Sequence, residues 1–201
     1  MKLSPALSAS ALASLCALAL PAAAQQYVFT AVLSGAAEQP PNTSAGGGAA
    51  VVTFDTAASS VRLQTTWANL TGDTTVGHVH CCTSTALSGI APPATTLPTL
   101  LGFPAGARYG SYDRTLDMTQ AASYSAAYLA ANGGTPSAAF NALLGGVAAG
   151  QAYFNVHSTS FPAGEIRGFL QPVPEPATYA LMLGGLALVG SVARRRVGRS
   201  A

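Results

Sequence analysis

The sequence predicts a mainly β fold: an antiparallel β-sandwich with a short helical insertion. Three observations predict it. Val61, Leu63, Thr65 and Trp67 alternate with Arg62, Gln64, Thr66 and Ala68, the period of a strand buried on one face. Short β-branched and aromatic runs are separated by clusters rich in Gly, Pro, Asn and Ser, which are turn signals. Only 8% of residues are charged, and that scarcity, with abundant Ala, Gly, Thr and Ser, suits a β-rich extracellular domain better than a cytosolic enzyme.

Taken in order, Tyr27 to Leu33 reads as the first strand, Ser34 to Gly48 as a loop, Ala49 to Asp55 as a second strand and Thr56 to Ser60 as a turn. The alternating strand from Val61 follows, then a turn at Leu70-Thr71-Gly72-Asp73 and a strand from Thr74 to His80. Cys81 to Gly106 is dense in Pro, Thr and Ser but carries Leu87, Ile90, Leu97, Leu100, Leu101 and Phe103, so it reads as an ordered excursion rather than a linker. Arg108 to Met118 is a strand. Two helices follow. Ser123 to Ala131 stops at Asn132-Gly133-Gly134. Thr135 caps a second, with Pro136 at its first position; Phe140, Leu143, Leu144 and Val147 recur at helical spacing and Gly145-Gly146 is expected to end it early. Gln151 to Ser158 is a strand, Phe161 to Gly164 a turn, and Glu165 to Leu170 the closing strand.

The two ends read differently from the middle. Lys2, the apolar stretch Ala6 to Leu20, Pro21 and Ala22-Ala23-Ala24 before Gln25 make residues 1–24 a secretory signal peptide for signal peptidase. Leu15 stands where a lipoprotein signal needs a small residue before Cys16, so Cys16 is lost on cleavage. At the other end Pro174, Glu175 and Pro176 precede an uncharged span, 177–193, and then Arg194, Arg195, Arg196 and Arg199. The span is near the ~20 residues a transmembrane helix takes, and the arginines would stay cytoplasmic. This order of blocks resembles the PEP-CTERM sorting signal of Gram-negative bacteria. The resemblance implies anchoring in the inner membrane, cleavage by an exosortase near Pro174-Glu175-Pro176, and release to the cell surface or an extracellular polysaccharide matrix. The expected mature chain runs from Gln25 to near Pro174.

What lies between, residues 25–172, is long enough for one domain with its own core. The formal charge of +2 misleads, because Lys2 and the four tail arginines lie in the removable ends. The remainder sets Arg62, Arg108, Arg114 and Arg167 against Glu38, Asp55, Asp73, Asp113, Asp117 and Glu165. It is weakly acidic and has no basic patch for nucleic acid.

Three pieces stand out together: Leu33-Ser34-Gly35-Ala36-Ala37-Glu38-Gln39-Pro40-Pro41, then Gly77-His78-Val79-His80, then Asn155-Val156-His157-Ser158 with Phe161 to Gly168. In this order they resemble the CHRD domain, first described in chordin, from about Tyr27 to Gln171. Gln39 departs from the pattern, standing where an apolar residue is more usual. The resemblance implies a secreted, immunoglobulin-like β domain and brings no catalytic reaction with it.

All three histidines fall in these motifs. His78 and His80 are two apart on a strand and share a face, and His157 lies on another strand. If the strands are neighbours the three imidazoles can converge, and two readings then stay open: ligands for copper or zinc, or histidines that hydrogen-bond the polar loop around Ser158, Thr159 and Glu165. The H-x-H strand also resembles the copper-ligand strand of copper/zinc superoxide dismutase. For Cys81 and Cys82 a vicinal disulfide, two free thiols and soft metal ligation all stay open. Glu165 and Arg167 read as a solvated strand face. No serine sits in a G-x-S-x-G elbow, and Gly46-Gly47-Gly48 lacks phosphate-binding spacing. The sequence therefore points to a non-enzymatic surface or matrix protein associated with exopolysaccharide or biofilm, with no catalytic residue and no obligatory cofactor. The alternatives are a periplasmic copper- or zinc-binding protein using His78, His80 and His157, and an adhesion module.

Overall fold

A computed structural model describes residues 25–173 and 184–186. The expected signal peptide (1–24), Pro174, Glu175 and Pro176, and all of the expected span except 184–186 lie outside the described residues. Among the described residues no helix is long and apolar enough to cross a membrane.

Three strands form a meander: β1 (Gln26–Ser34), β2 (Gly47–Asp55) and β3 (Ser60–Ala68). Their registers run unbroken from Gln26–Asp55 to Ser34–Gly47 and from Gly47–Ala68 to Asp55–Ser60. The tight β2–β3 turn forms because the Asp55 carboxylate accepts the N–H groups of Ala57 and Ala58, an Asx turn. Next come β4 (Thr74–Cys81), β5 (Gly110–Asp117), helices α1 (Ala126–Ala131) and α2 (Pro136–Ala148), then β6 (Ala152–Ser158), β7 (Ile166–Phe169) and β8 (Gln171–Pro172).

Where two facing sheets were expected, hydrogen bonding joins all the strands into one antiparallel sheet, in the order β4-β6-β7-β1-β2-β3-β5, with β8 beside β1. The physical reason is β1. It pairs with β2 along its whole length, and its other edge is met by β7 at Ser34–Arg167 and by β8 at Phe29–Pro172 and Thr30–Gln171. A single strand thus belongs to both halves. The sheet curls until its ends meet: Leu70 and Thr74 donate to the carbonyls of Arg108 and Ala107, and Gly106 donates to Thr74.

Inside the curl, alternate residues of β1 to β7 form one core, among them Phe29, Leu33, Val52, Phe54, Leu63, Trp67, Phe154 and Ile166. Val61, Leu63 and Trp67 all face inward, as their alternation requires. Phe103, from the excursion, plugs the gap between the two ends of the sheet. Its ring stacks on Trp67 of β3 at 5.1 Å and lies 5.6 Å from Tyr112 of β5 and 6.5 Å from Phe154 of β6. Gly77 of β4 must be glycine for this, since a Cβ there would strike the Phe103 ring, as one at Gly110 would strike Trp67.

The helices cover one end of the core, with Phe140 of α2 5.8 Å from Phe54. The first is shorter than expected because Ser125 caps it, its hydroxyl accepting the Tyr128 N–H. The second runs through Gly145-Gly146 to Ala148. Gly146 has a packing role there: a Cβ would collide with both sulfurs of Cys81 and Cys82, which are joined as a vicinal disulfide at the end of β4.

The excursion runs down the free edge of β4. Cys81 N–H donates to Pro92 O, Ala94 and Thr95 donate to Val79 O, and Leu100 donates to Gly77 O. The ladder is irregular, and threonine hydroxyls stand in for carbonyl acceptors: Val79 N–H donates to Thr95 Oγ1 (3.1 Å) and Gly77 N–H to Thr99 Oγ1 (3.0 Å).

Trp67→Ala empties the centre of the stack and is expected to cost ~3–5 kcal/mol, the range for aromatic truncation in a core. Denaturant melts check this; a loss below about 1 kcal/mol, the behaviour of a surface site, would contradict the packing described.

Candidate metal centre

Strand periodicity sorts β4, β6 and β7 into two faces. Gly77, Val79, Phe154, Val156 and Ile166 serve the core. The opposite face carries His78 and His80 from β4, Tyr153, Asn155 and His157 from β6, and Arg167 and Phe169 from β7. Register sets His78 opposite Asn155, His80 opposite Tyr153, and Asn155 opposite Arg167. This second face is largely buried, with His157 and Phe169 half-buried at its margin. His78 is 4% exposed, His80 7% and Arg167 3%, beneath a cover made by the segment after β1, the excursion and the turn before β7.

The structure brings the three histidines together. Ring centroids of His78 lie 5.7 Å from His80 and 5.5 Å from His157, and His80 lies 6.0 Å from His157. One ring nitrogen from each belongs to a set within 4.8 Å of one another. Their partners are main-chain carbonyls: His157 meets one in the expected loop between Ser158 and Glu165, whereas His78 and His80 meet the excursion instead. His78 Nε2 meets Pro98 O at 2.7 Å, His80 Nδ1 meets Ala91 O at 2.7 Å, and His157 Nδ1 meets Pro162 O at 2.9 Å. A carbonyl can only accept, so each of these nitrogens carries the proton. The tautomers follow, and the lone pairs fall on His78 Nδ1, His80 Nε2 and His157 Nε2. These three atoms are buried without a hydrogen-bond partner.

Burial disfavours the imidazolium form and pushes all three histidines below their ordinary pKa. His80 is driven down to about 4, with repulsion from His78, His157 and Arg167 adding to burial and its bond to Ala91 opposing it. At neutral pH the cluster is uncharged, the protonation state that ligates metals. A hydrogen bond from the far nitrogen to a backbone carbonyl is also how metal-ligating histidines are oriented. Neither Cys81, Cys82 nor a carboxylate joins the set among the described residues.

Around the rings is a second layer of named contacts. Tyr153 stacks on His80 at 4.8 Å, and its hydroxyl donates to the same Ala91 carbonyl that takes the His80 proton. The Arg167 guanidinium lies 4.7 Å over Tyr153 and 5.6 Å from Phe169. It donates to the carbonyls of Ala37 and Gly89 and sits 3.8 Å from the Glu38 carboxylate. Glu38 accepts from Asn155 Nδ2 at 2.6 Å. Burial lifts the Glu38 carboxyl to about 7 against the pull of Arg167. Gln39 has a role here too, its side-chain oxygen accepting the Gly89 N–H at 3.1 Å.

The expectation of a solvated Glu165–Arg167 face is corrected, since both are buried, Glu165 to 0% exposure. Glu165 organises loops: its carboxylate accepts from the Ser44 hydroxyl and the N–H groups of Thr71 and Gly72. Burial raises its pKa, but those bonds and one from Ser158 outweigh it and hold the carboxyl below its ordinary value. Sequence reasoning also missed the parts played by Glu38, Tyr153 and Asn155. The signal was present, since Tyr153 and Asn155 share the period-2 face of His157.

A curled antiparallel sheet with a core on one side and a buried histidine face on the other defines a mainly β protein. Residues 29–170 match the CHRD domain, and the chain belongs to that family. Residues 172–197 match the PEP-CTERM protein-sorting motif, which marks exosortase-dependent sorting of an exported protein. No curated protein and no solved structure matches the chain.

The burial has a consequence for titration. His80 has a folded pKa near 4 against ~6.5 unfolded, so its contribution to stability is complete above about 6.5 and is lost as pH falls toward 4. Glu38, raised to about 7, acts with the opposite sign, its contribution being lost as pH rises through 7. In the metal-free protein, NMR is expected to show His80 unprotonated down to about pH 5; a midpoint near ~6.5, the ordinary value, would contradict its burial.

Proposed function

We propose that the exported domain binds copper or zinc through His78, His80 and His157, and that it works as a non-enzymatic protein of the cell surface or extracellular matrix. One observation carries the metal reading: three buried, unprotonated ring nitrogens without partners belong to imidazoles gathered at one place. Leaving a buried polar atom unpaired costs about 1–3 kcal/mol. Three at one point is an arrangement a bound cation would relieve, because each lone pair would become a ligand bond. The display reading is supported by the sorting motif. In it signal peptidase removes the leader, the exosortase releases the domain from the inner membrane, and exopolysaccharide or biofilm matrix receives it. A covered metal centre on such a protein would sequester an ion or brace the loops that cover it, and neither role needs a substrate.

Elemental analysis of the exported protein, purified without chelators, tests this directly. About one copper or zinc per chain is expected, lost in His80→Ala while the circular dichroism is kept. Equal metal content in wild type and variant would contradict the assignment.

A further inference from the structure

We infer that the ion selected by this site is copper(I), in preference to zinc(II) and copper(II). The inference rests on the metal reading above and deepens it by naming the ion.

Coordination number points this way first. The site offers three ring nitrogens, and among the described residues no fourth His, Cys, Asp or Glu joins them. Zinc takes four ligands and completes a three-histidine set with a water, and copper(II) prefers a tetragonal set. Copper(I) has a filled d shell and imposes no such geometry, so three imidazoles satisfy it. With metal–nitrogen bonds of ~2 Å, a trigonal set places its nitrogens about 3.5 Å apart. One ring nitrogen of each histidine already lies within 4.8 Å of the others, so a trigonal set needs the three to draw about 1 Å closer and no new group.

Charge points the same way. The three ligands are neutral, and so are the groups that orient them: the carbonyls of Pro98, Ala91 and Pro162. Because these orienting partners are main-chain carbonyls rather than carboxylates, they add no negative charge behind the ligands. The nearest carboxylate layer is Glu38, engaged with Arg167 and Asn155. The Arg167 cation reaches the cluster through Tyr153, which stacks on His80. The Born cost of burying an ion grows with the square of its charge, so a dication costs about four times as much as a monocation in the same place. A mostly buried, neutral ligand set with no carboxylate of its own therefore disfavours both divalent ions.

The test is anaerobic competition on the exported protein, with bathocuproine disulfonate for copper(I) and a chromophoric chelator for zinc(II), followed by copper K-edge absorption spectroscopy. Copper(I) is expected to bind tighter than zinc(II) by more than about a hundredfold, roughly two steps of tenfold affinity, with the edge feature of a three-coordinate cuprous ion. Both His80→Ala and the gentler His157→Gln are expected to lose it, with circular dichroism reporting their folding. Zinc bound as tightly as copper(I), or copper held only as an EPR-active cupric ion, would overturn the inference while leaving a histidine metal centre in place. If neither ion binds, or both variants bind as wild type does, the metal centre itself fails and the inference with it.

Discussion

The free edge of β4 is closed by the chain's own irregular segment, and most of what distinguishes the domain depends on that pairing. An unpaired strand edge leaves a row of N–H and C=O groups that must find partners. Here Gly77, Val79 and Cys81 find them in Pro92, Ala94, Thr95, Thr99 and Leu100. Because this segment is rich in proline, it cannot supply a regular ladder. Its threonine hydroxyls accept the Gly77 and Val79 N–H groups where no carbonyl is in place, and its carbonyls at Ala91 and Pro98 turn onto the histidine face instead. The same segment then sends Phe103 into the core. One stretch therefore closes an edge, plugs the curl and fixes two tautomers.

This arrangement explains why the far face of β4, β6 and β7 is polar and yet buried. A strand face under loops cannot be apolar throughout, because the loops bring carbonyls and N–H groups that need partners. His78, His80 and His157 take three of the carbonyls, Arg167 takes two more, and Glu165 takes N–H groups from the opposite direction. Each histidine has one nitrogen spent on this task. The second nitrogen of each is surplus to the fold, and the three surplus lone pairs lie together. The chemistry of the site is what the folding requirement leaves over.

Much of this was legible in the sequence. The alternation from Val61 to Trp67 fixed a strand and its inward face, and the paired motifs around His78 and His157 pointed to one cluster. What could not be read was the cover. Glu165 and Arg167 look like an exposed pair when only their own strand is considered; their burial comes from Asn42, Ser44 and Gly89, which are distant in sequence. The second helix was expected to stop at Gly145-Gly146, since glycine is a poor helix former. It continues because Gly146 admits the Cys81–Cys82 sulfurs, a tertiary contact that overrides local propensity. The two-sheet expectation gave way for a similar reason: a long β1 with partners on both edges cannot be told from a one-sided strand by its own residues.

The sorting motif marks this chain for exosortase-dependent export, and the buried histidine face gathers its three imidazoles. The central claim is that the three surplus lone pairs define one point in space. Anomalous diffraction at the copper edge, on crystals of the exported protein grown with copper(I) under anaerobic conditions, tests it most directly. The account predicts a single strong peak bonded to His78 Nδ1, His80 Nε2 and His157 Nε2, with the bonds to Pro98, Ala91 and Pro162 intact. A peak elsewhere, or rings turned to bind through the nitrogens that now face those carbonyls, would contradict it.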